Sequence, residues 1–457
     1  MSQNVQEQTY RYPGIDAAAV AARLSRLGFA GAVHRPDDPG YDEYREPLYD
    51  TIDPYPVIVA EASGPADVRA AVLTAREEEL PLAVQVTGHG TWVPSDGGVL
   101  LRTDSQAAVM VDPDRRIARV GPGALWGEVI AEARRSGLAP LAGSSAVVGV
   151  TGYTLGGGVG WLGRKHGFAA DSVLRAEVVT ADGSLVTASP DSHPALFWAL
   201  RGGGANFGVV TALEFRLYPV PEVYAGQSYH SIERGAETLD FYRRWAAEAP
   251  DALSTAIVLR RVPDTEDFHE AVRGRRVLVV KAMYAGDPAE GERLLRPLRE
   301  VAGPAFLDDI RPTAFADAVM GGQAAPFLDF YHELPDPVVD ALATAIQEDP
   351  ESPVASVELR HWGGAMSAPG PDAGPIGPRM APFAISVDAD VPEVTAKLRP
   401  HGTGATFLNF LGDPERVPAA YTAADYRRLA EVKRDYDPSN LFRLNHNIPP
   451  AMPPHAG

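Results

Sequence analysis

From Gly143 to Gly163 the chain reads GSSAVVGVTGYTLGGGVGWLG, a glycine-dense run with neither helical nor strand periodicity. It contains a formal GxGxxG, Gly158-Val159-Gly160-Trp161-Leu162-Gly163. A Rossmann fingerprint needs a strand before it and a helix opening on it, so that the helix N-terminus meets a pyrophosphate. Here more glycine precedes the match, and Arg164-Lys165-His166-Gly167 follows it, so the match does not define a Rossmann fold. The run makes better sense beside two further glycine clusters, Gly88/Gly90 and Gly202–Gly208. One cluster alone reads most simply as tight packing or a bulge. Three in one half of the chain suit a long ligand with a pyrophosphate and several rings, because glycine lets backbone N–H groups approach and form anion-binding nests.

Outward from that run, residues 57–86 read as strand, helix, strand. Ser63 is the expected N-cap and Pro65 the first-turn residue, with Val68, Ala71, Val72 and Ala75 at helical spacing. The second strand, residues 82–86, runs straight into Thr87-Gly88-His89-Gly90. Strands are expected over 99–102, 117–120, 176–180, 185–188 and 209–217, with a helix near 125–137. Pro219/Pro221 mark a boundary. Beyond it, strands over 223–231, 255–260, 276–284, 355–362 and 383–387 alternate with helices near 236–248, 287–302 and 337–347, the pattern of an antiparallel sheet covered by helices. Residues 367–382, crowded with Gly and Pro, read as a mobile loop. The tail is a helix followed by Tyr436-Asp437-Pro438-Ser439-Asn440-Leu441-Phe442 and an extended Asn445-His446-Asn447-Ile448-Pro449-Pro450.

Composition narrows the function. With 45% hydrophobic residues the chain has material for a large core, and its net charge of −19 argues against nucleic acid or an anionic membrane as partner. No cysteine is present, which removes disulfides, thiolate metal sites, cysteine nucleophiles and cysteinyl cofactor links. No metal site is expected. The N-terminus MSQNVQEQTYRYPG has no signal-peptide pattern, and no run of 18 apolar residues occurs, so the expectation is a soluble cytoplasmic protein. There is no GxxxxGK[ST], HExxH or GxSxG, so P-loop NTPases, zincins and typical α/β-hydrolases are set aside. The sequence carries no reading of oligomeric state.

The segments PLAVQVTGHG, AGSSAVVGVTGYTLGGGVGWLGRKHGFAADSV and PALFWALRGGGANFGVVTALEFRLYPV together resemble the FAD-binding domain of the vanillyl-alcohol-oxidase (PCMH-type) superfamily. The ending YDPSNLFRLNHNIPP resembles the C-terminal signature of berberine-bridge-enzyme-like oxidoreductases, and the nearest branch is the bacterial 6-hydroxynicotine-oxidase-like enzymes. The resemblance implies an α+β fold: a two-subdomain PCMH-type FAD-binding domain (residues 1–220), an antiparallel-sheet substrate domain covered by helices (221–420), and a segment returning to the first domain (421–457). It implies FAD joined through His89 to the flavin 8α-methyl group. Relatives often add a thioether at the position of Ser145, which serine cannot form, so one covalent link is expected. The usual Arg-Gly-Gly-Gly-His is here Gln85-Val86-Thr87-Gly88-His89, without the cation.

The other positions carry over as implications of the same resemblance. Val86, Thr87, Gly88, His89, Gly90 and Thr91 would wrap the pyrophosphate. Ser144, Ser145, Gly149, Thr151, Gly152 and Tyr153 would line the isoalloxazine and ribityl portions. Asn206, Gly208 and Val210 would meet the adenosine end, while Asn445 and Asn447 would return to the ring. A small residue at Val148 goes with oxygen access, so the implied activity is an oxidase using O₂.

In Ser356–Trp362, alternation puts Glu358 and Arg360 on one face and Leu359 and His361 on the other. Relatives carry a carboxylate base at the Glu358 position; pairing of Glu358 with Arg360 on a solvated face is the plain structural alternative. Tyr153, His361, Tyr331 and His332 are secondary candidates. The expected reaction is hydride loss from a small organic, aromatic or natural-product substrate to FAD. A dehydrogenase, an oxidative-cyclisation or rearrangement catalyst, and a non-catalytic flavin-binding protein are the competing readings.

Overall fold

A computed structural model of the chain describes residues 14–49, 51–318, 320–322, 325–349 and 351–452. The first thirteen residues, read above as lacking a signal peptide, therefore lie outside the described residues. The first sheet follows from the apolar runs that open the glycine loops. Its order is Val33–His34, Ile58–Glu61, Val99–Arg102, Leu82–Gln85, and the last three strands are parallel. Helix Pro65–Glu77 covers it, with Val68, Ala71, Val72 and Ala75 fully buried. Its N-cap is Gly64, one residue later than expected. Ser63 instead donates from its N and its Oγ to Asp67 Oδ2, at 2.9 and 2.6 Å.

A second, antiparallel sheet runs Val109–Asp112, Ile117–Val120, Val209–Arg216, Val173–Val179, Leu185–Ala188. The third sheet has eight strands, ordered Ala305–Asp308, Glu222–Ser231, Arg276–Tyr284, Leu253–Arg261, Ser356–His361, Phe383–Val387, Phe327–Tyr331, with Arg311–Ala314 also on Glu222–Ser231. All its pairings are antiparallel. Strict alternation explains its two faces. Leu278, Val280, Leu259, Leu359 and Ile385 pack against Leu239, Leu295, Leu298, Val338 and Leu398, which belong to helices Gly235–Trp245, Pro288–Ala302, Asp336–Ala343 and Pro392–Leu398. The opposite face carries Lys281, Ala256, Arg360 and Ala384 side by side in register.

Within residues 367–382, the stretch 374–379 is docked, against the expectation of a mobile loop, while 368–372 are exposed. Ile376 is buried, and Arg379 Nη2 lies 2.7 Å from Asp171 Oδ1 while its guanidinium covers Phe168.

The tail closes the molecule through one buried ammonium. Helix Ala423–Tyr436 packs Leu429 and Val432 into the core that also holds Leu196 and Leu200 of helix Pro194–Leu200. Near its end Lys433, fully buried, donates to Asn206 O (2.7 Å), Asp437 Oδ2 (2.6 Å) and Phe442 O (3.1 Å). Asp437 in turn accepts from the backbone N–H groups of Leu441 and Phe442. Removing one partner of a buried pair strands the other charge at a cost of about 3–5 kcal/mol. Lys433→Met should therefore lose stability of that order in urea unfolding, whereas exposed Arg135→Met, whose Glu132 partner sits on the same helix surface, should change it by less than about 0.5 kcal/mol.

Candidate active site

The three glycine clusters open into one cavity of about 920 Å³. Its first wall is the chain leaving strand Leu82–Gln85. Buried Gln85 anchors this turn by donating from Nε2 to Glu46 O at 3.1 Å. His89 lines the cavity, with Nδ1 2.8 Å from Thr87 Oγ1 and its ring edge-on to Tyr49. Burial holds the His89 imidazole below its ordinary pKa, which favours the neutral ring with a free lone pair.

The second wall is residues 143–156. Short helix Val150–Leu155, capped by Gly149, lies inside the run that shows no periodicity in sequence. Asn409 pins it from outside: Gly158 N donates to Asn409 Oδ1 and Asn409 Nδ2 donates to Tyr153 O, both at 2.9 Å. The GxGxxG match is packing. A Cβ on Gly160 would sit 2.0 Å from Ala142 O, and the helix that follows, Gly163–His166, is a single turn.

The third wall is the open face of the eight-stranded sheet. Glu358 and Arg360 reach the cavity together, with Leu328, Ala384 and Ser386 around them. Glu358 does not pair with Arg360. Its Oε2 lies 3.2 Å from Nζ of Lys281, whose side chain is largely buried two strands away. Arg360 instead lays its guanidinium over the Trp161 ring, 4.6 Å from the centroid, and burial depresses its pKa.

Of the residues singled out in sequence, Val86, Thr87, Gly88, His89, Gly90, Thr91, Ser144, Ser145, Val148, Gly149, Thr151, Gly152, Tyr153, Asn206, Gly208, Val210, Asn445 and Glu358 line this cavity. His361, Asn447, Tyr331 and His332 are not among its lining residues. His361 points to the helix-covered side, its Nε2 2.9 Å from Arg164 Nη1, and burial with that neighbouring cation lowers its pKa to about 3. It stays neutral and remote. Tyr331 is buried in the same helix-covered core, and burial raises its pKa far above the ordinary phenol. Tyr153 reaches the cavity, yet its hydroxyl points 3.4 Å from Leu141 O and burial drives its pKa well up, so it does not ionise readily. Asn206 spends its amide on the tail: Nδ2 donates to Gly203 O and His446 O, and Oδ1 accepts from Ile448 N.

Lys281, Asn409 and Trp161 were missed. The signal for Lys281 was available, as a single lysine inside the apolar strand Arg276–Tyr284. Asn409 lies in a short turn with no pattern of its own.

Comparison with known proteins agrees with this geometry. Residues 56–189 match the FAD binding domain family, and residues 400–449 match the berberine and berberine-like family. The chain is 29% identical to (R)-6-hydroxynicotine oxidase of Paenarthrobacter nicotinovorans, over 93% of this chain and 98% of the relative. The structure of 6-hydroxy-D-nicotine oxidase from Arthrobacter nicotinovorans superposes with a TM-score of 0.79 at 28% identity, covering 93% of this chain and 99% of that one. Glucooligosaccharide oxidase from Acremonium strictum, a 6-S-cysteinyl, 8α-N1-histidyl FAD protein, shares the fold: TM-score 0.79, 20% identity, 95% of this chain and 100% of that one.

The residues present fit FAD. Ser95 Oγ, Thr103 Oγ1, Thr151 Oγ1 and Asn445 Oδ1 are buried without a hydrogen-bond partner, and all four residues line the cavity. Buried polar atoms are normally satisfied, and a dinucleotide rich in hydroxyl, amide and phosphate groups supplies such partners. At Gly152 a Cβ would meet nothing within 4 Å, leaving room beside the backbone. If Gly160 serves packing alone, Gly160→Ala should cost about 1–3 kcal/mol in thermal unfolding while FAD bound per folded molecule stays unchanged.

Proposed function

We propose that this chain, whose residues 56–189 match the FAD binding domain family and residues 400–449 the berberine-like family, is an oxidase of a small organic molecule, with FAD held by a single covalent link through His89 and O₂ as the electron acceptor. The observation that carries this reading is the meeting of His89 and Glu358 in one cavity, from walls more than 250 residues apart in sequence. Bound there, FAD would supply an acceptor for the substrate's hydride and a route for its electrons to dioxygen.

The protein's own groups do the rest. The neutral His89 ring, steadied by Thr87, has the lone pair that bonding to a methyl carbon requires. Ser145 stands at the cavity with no sulfur to offer, and the chain has no cysteine, so the link stays single. Glu358, held at Lys281 Nζ, takes the proton from the substrate's O–H or N–H as the neighbouring C–H bond breaks. Val148, small and on the cavity wall, would leave O₂ a way to the ring. On this reading residues 1–220 with 421–457 hold the cofactor, and residues 221–420 roof the substrate.

Acid precipitation of the purified protein tests the link directly. Yellow colour should stay in the washed pellet of the wild type and move to the supernatant in His89→Ala; colour released from the wild type would contradict the covalent link. Because burial lowers the His89 pKa, the ring is neutral above its depressed value and protonates only below it. Flavin loading of the apoprotein should therefore hold its rate at pH 6.5, where an ordinary histidine is half protonated, and fall at lower pH. Glu358→Gln should keep its flavin and lower kcat by about 10²–10⁴-fold on any alcohol or amine that bleaches the wild type; an unchanged kcat would remove Glu358 as base.

A further inference from the structure

The charges on the cavity wall do not balance. Glu358 and Arg360 are the only Asp, Glu, Lys or Arg side chains among its described lining residues. Glu358 is already neutralised by Lys281, 3.2 Å away. Arg360 has no such partner: among the described residues it makes no ion pair or hydrogen bond, only the stacking contact with Trp161. Its lateral neighbours in the sheet are Ala256 and Ala384, so the adjoining strands offer no carboxylate. The other groups facing it are Tyr153, Tyr242 and Glu358, and both phenols are held neutral by burial. A guanidinium does not shed its proton. An unpaired cation therefore lines the cavity of a chain whose net charge is −19.

We propose that Arg360 is the docking point for a carboxylate on the substrate, so that the enzyme oxidises an organic acid. This rests on the oxidase reading above and adds the substrate class to it. Arg360 and Glu358 share a strand face two residues apart, which spaces their Cα atoms by about 6.5–7 Å. The acid and the oxidised carbon then lie at opposite ends of a unit about the length of a substituted benzene ring. Trp161 lies against the guanidinium, and its Nε1 is fixed by Ser144 Oγ at 3.1 Å, so the fork is steadied from one side for charge-assisted hydrogen bonds to a carboxylate.

The test uses the flavin-loaded enzyme with benzoate and its neutral shape-mate benzamide, reading dissociation constants from the perturbed visible flavin spectrum. The wild type should bind benzoate at least tenfold more tightly than benzamide. A charge-assisted hydrogen-bonded contact of this kind corresponds to about a 10- to 100-fold change in affinity. Arg360→Gln should lose that preference while benzamide binding and flavin content stay unchanged, and Arg360→Lys should recover part of it. Equal binding of the two probes by the yellow wild type would overturn the proposal without involving any variant. So would a preference that survives in Arg360→Gln, including the case in which that variant shifts only the spectrum of the unliganded flavin and so marks Arg360 as the flavin's own counterion. A wild type that takes up no flavin would instead overturn the oxidase reading beneath it.

Discussion

The buried ammonium of Lys433 is the contact that ties the C-terminal tail to the cavity wall. Burying a charge is costly unless its hydrogen bonds are met, and Lys433 meets them with groups from three different places: Asn206, Asp437 and Phe442. That requirement fixes the tail against the third glycine cluster. Asn206 then clasps the chain at His446 and Ile448, and Leu82 N donates to Leu441 O, so the same tail is stitched to the strand that delivers His89. Leu444, Asn445 and His446 thereby become part of the cavity wall.

The second constraint is electrostatic and lies on the opposite wall. On the sheet face toward the cavity, Lys281, Ala256, Arg360 and Ala384 stand in a row, with Glu358 one step along the strand, so three charges are set among alanines. Lys281 pairs with Glu358 without hydrogen-bonding Arg360, so the carboxylate is anchored while the guanidinium stays available. The alanines leave space where larger side chains would fill the gap between sheet and loops. On the proposed reading, chemistry and recognition are separated by one strand repeat, with Glu358 as the proton acceptor and Arg360 as the charge that orients the ligand.

Much of this was legible in the sequence because it depends on short-range rules. The apolar face of helix Pro65–Glu77, the bounds of strands Val99–Arg102, Ile117–Val120 and Arg276–Tyr284, and the alternation that sends Glu358 and Arg360 to one side all follow from local periodicity. The same alternation sent His361 to the other side, which is where it is found, bound to Arg164 and away from the cavity. What sequence could not supply was partnership across strands. Glu358 belongs to Lys281 because of the register of three strands, and Asn206 serves the tail because a lysine over 200 residues later needs its carbonyl. Helix Val150–Leu155 escaped notice because its stability comes from Asn409 and the packing of Val150 and Leu155, whereas its glycine-rich sequence has no helical pattern.

The central claim is that the flavin ring lies between His89 and the Glu358 face of the sheet. A crystal structure of the yellow holoprotein tests it most directly. The account predicts electron density continuous from the His89 ring to the flavin, with the isoalloxazine facing Glu358 and Arg360 across an open substrate space. A ring seated elsewhere, or one with the Glu358 face turned away from it, would contradict the account.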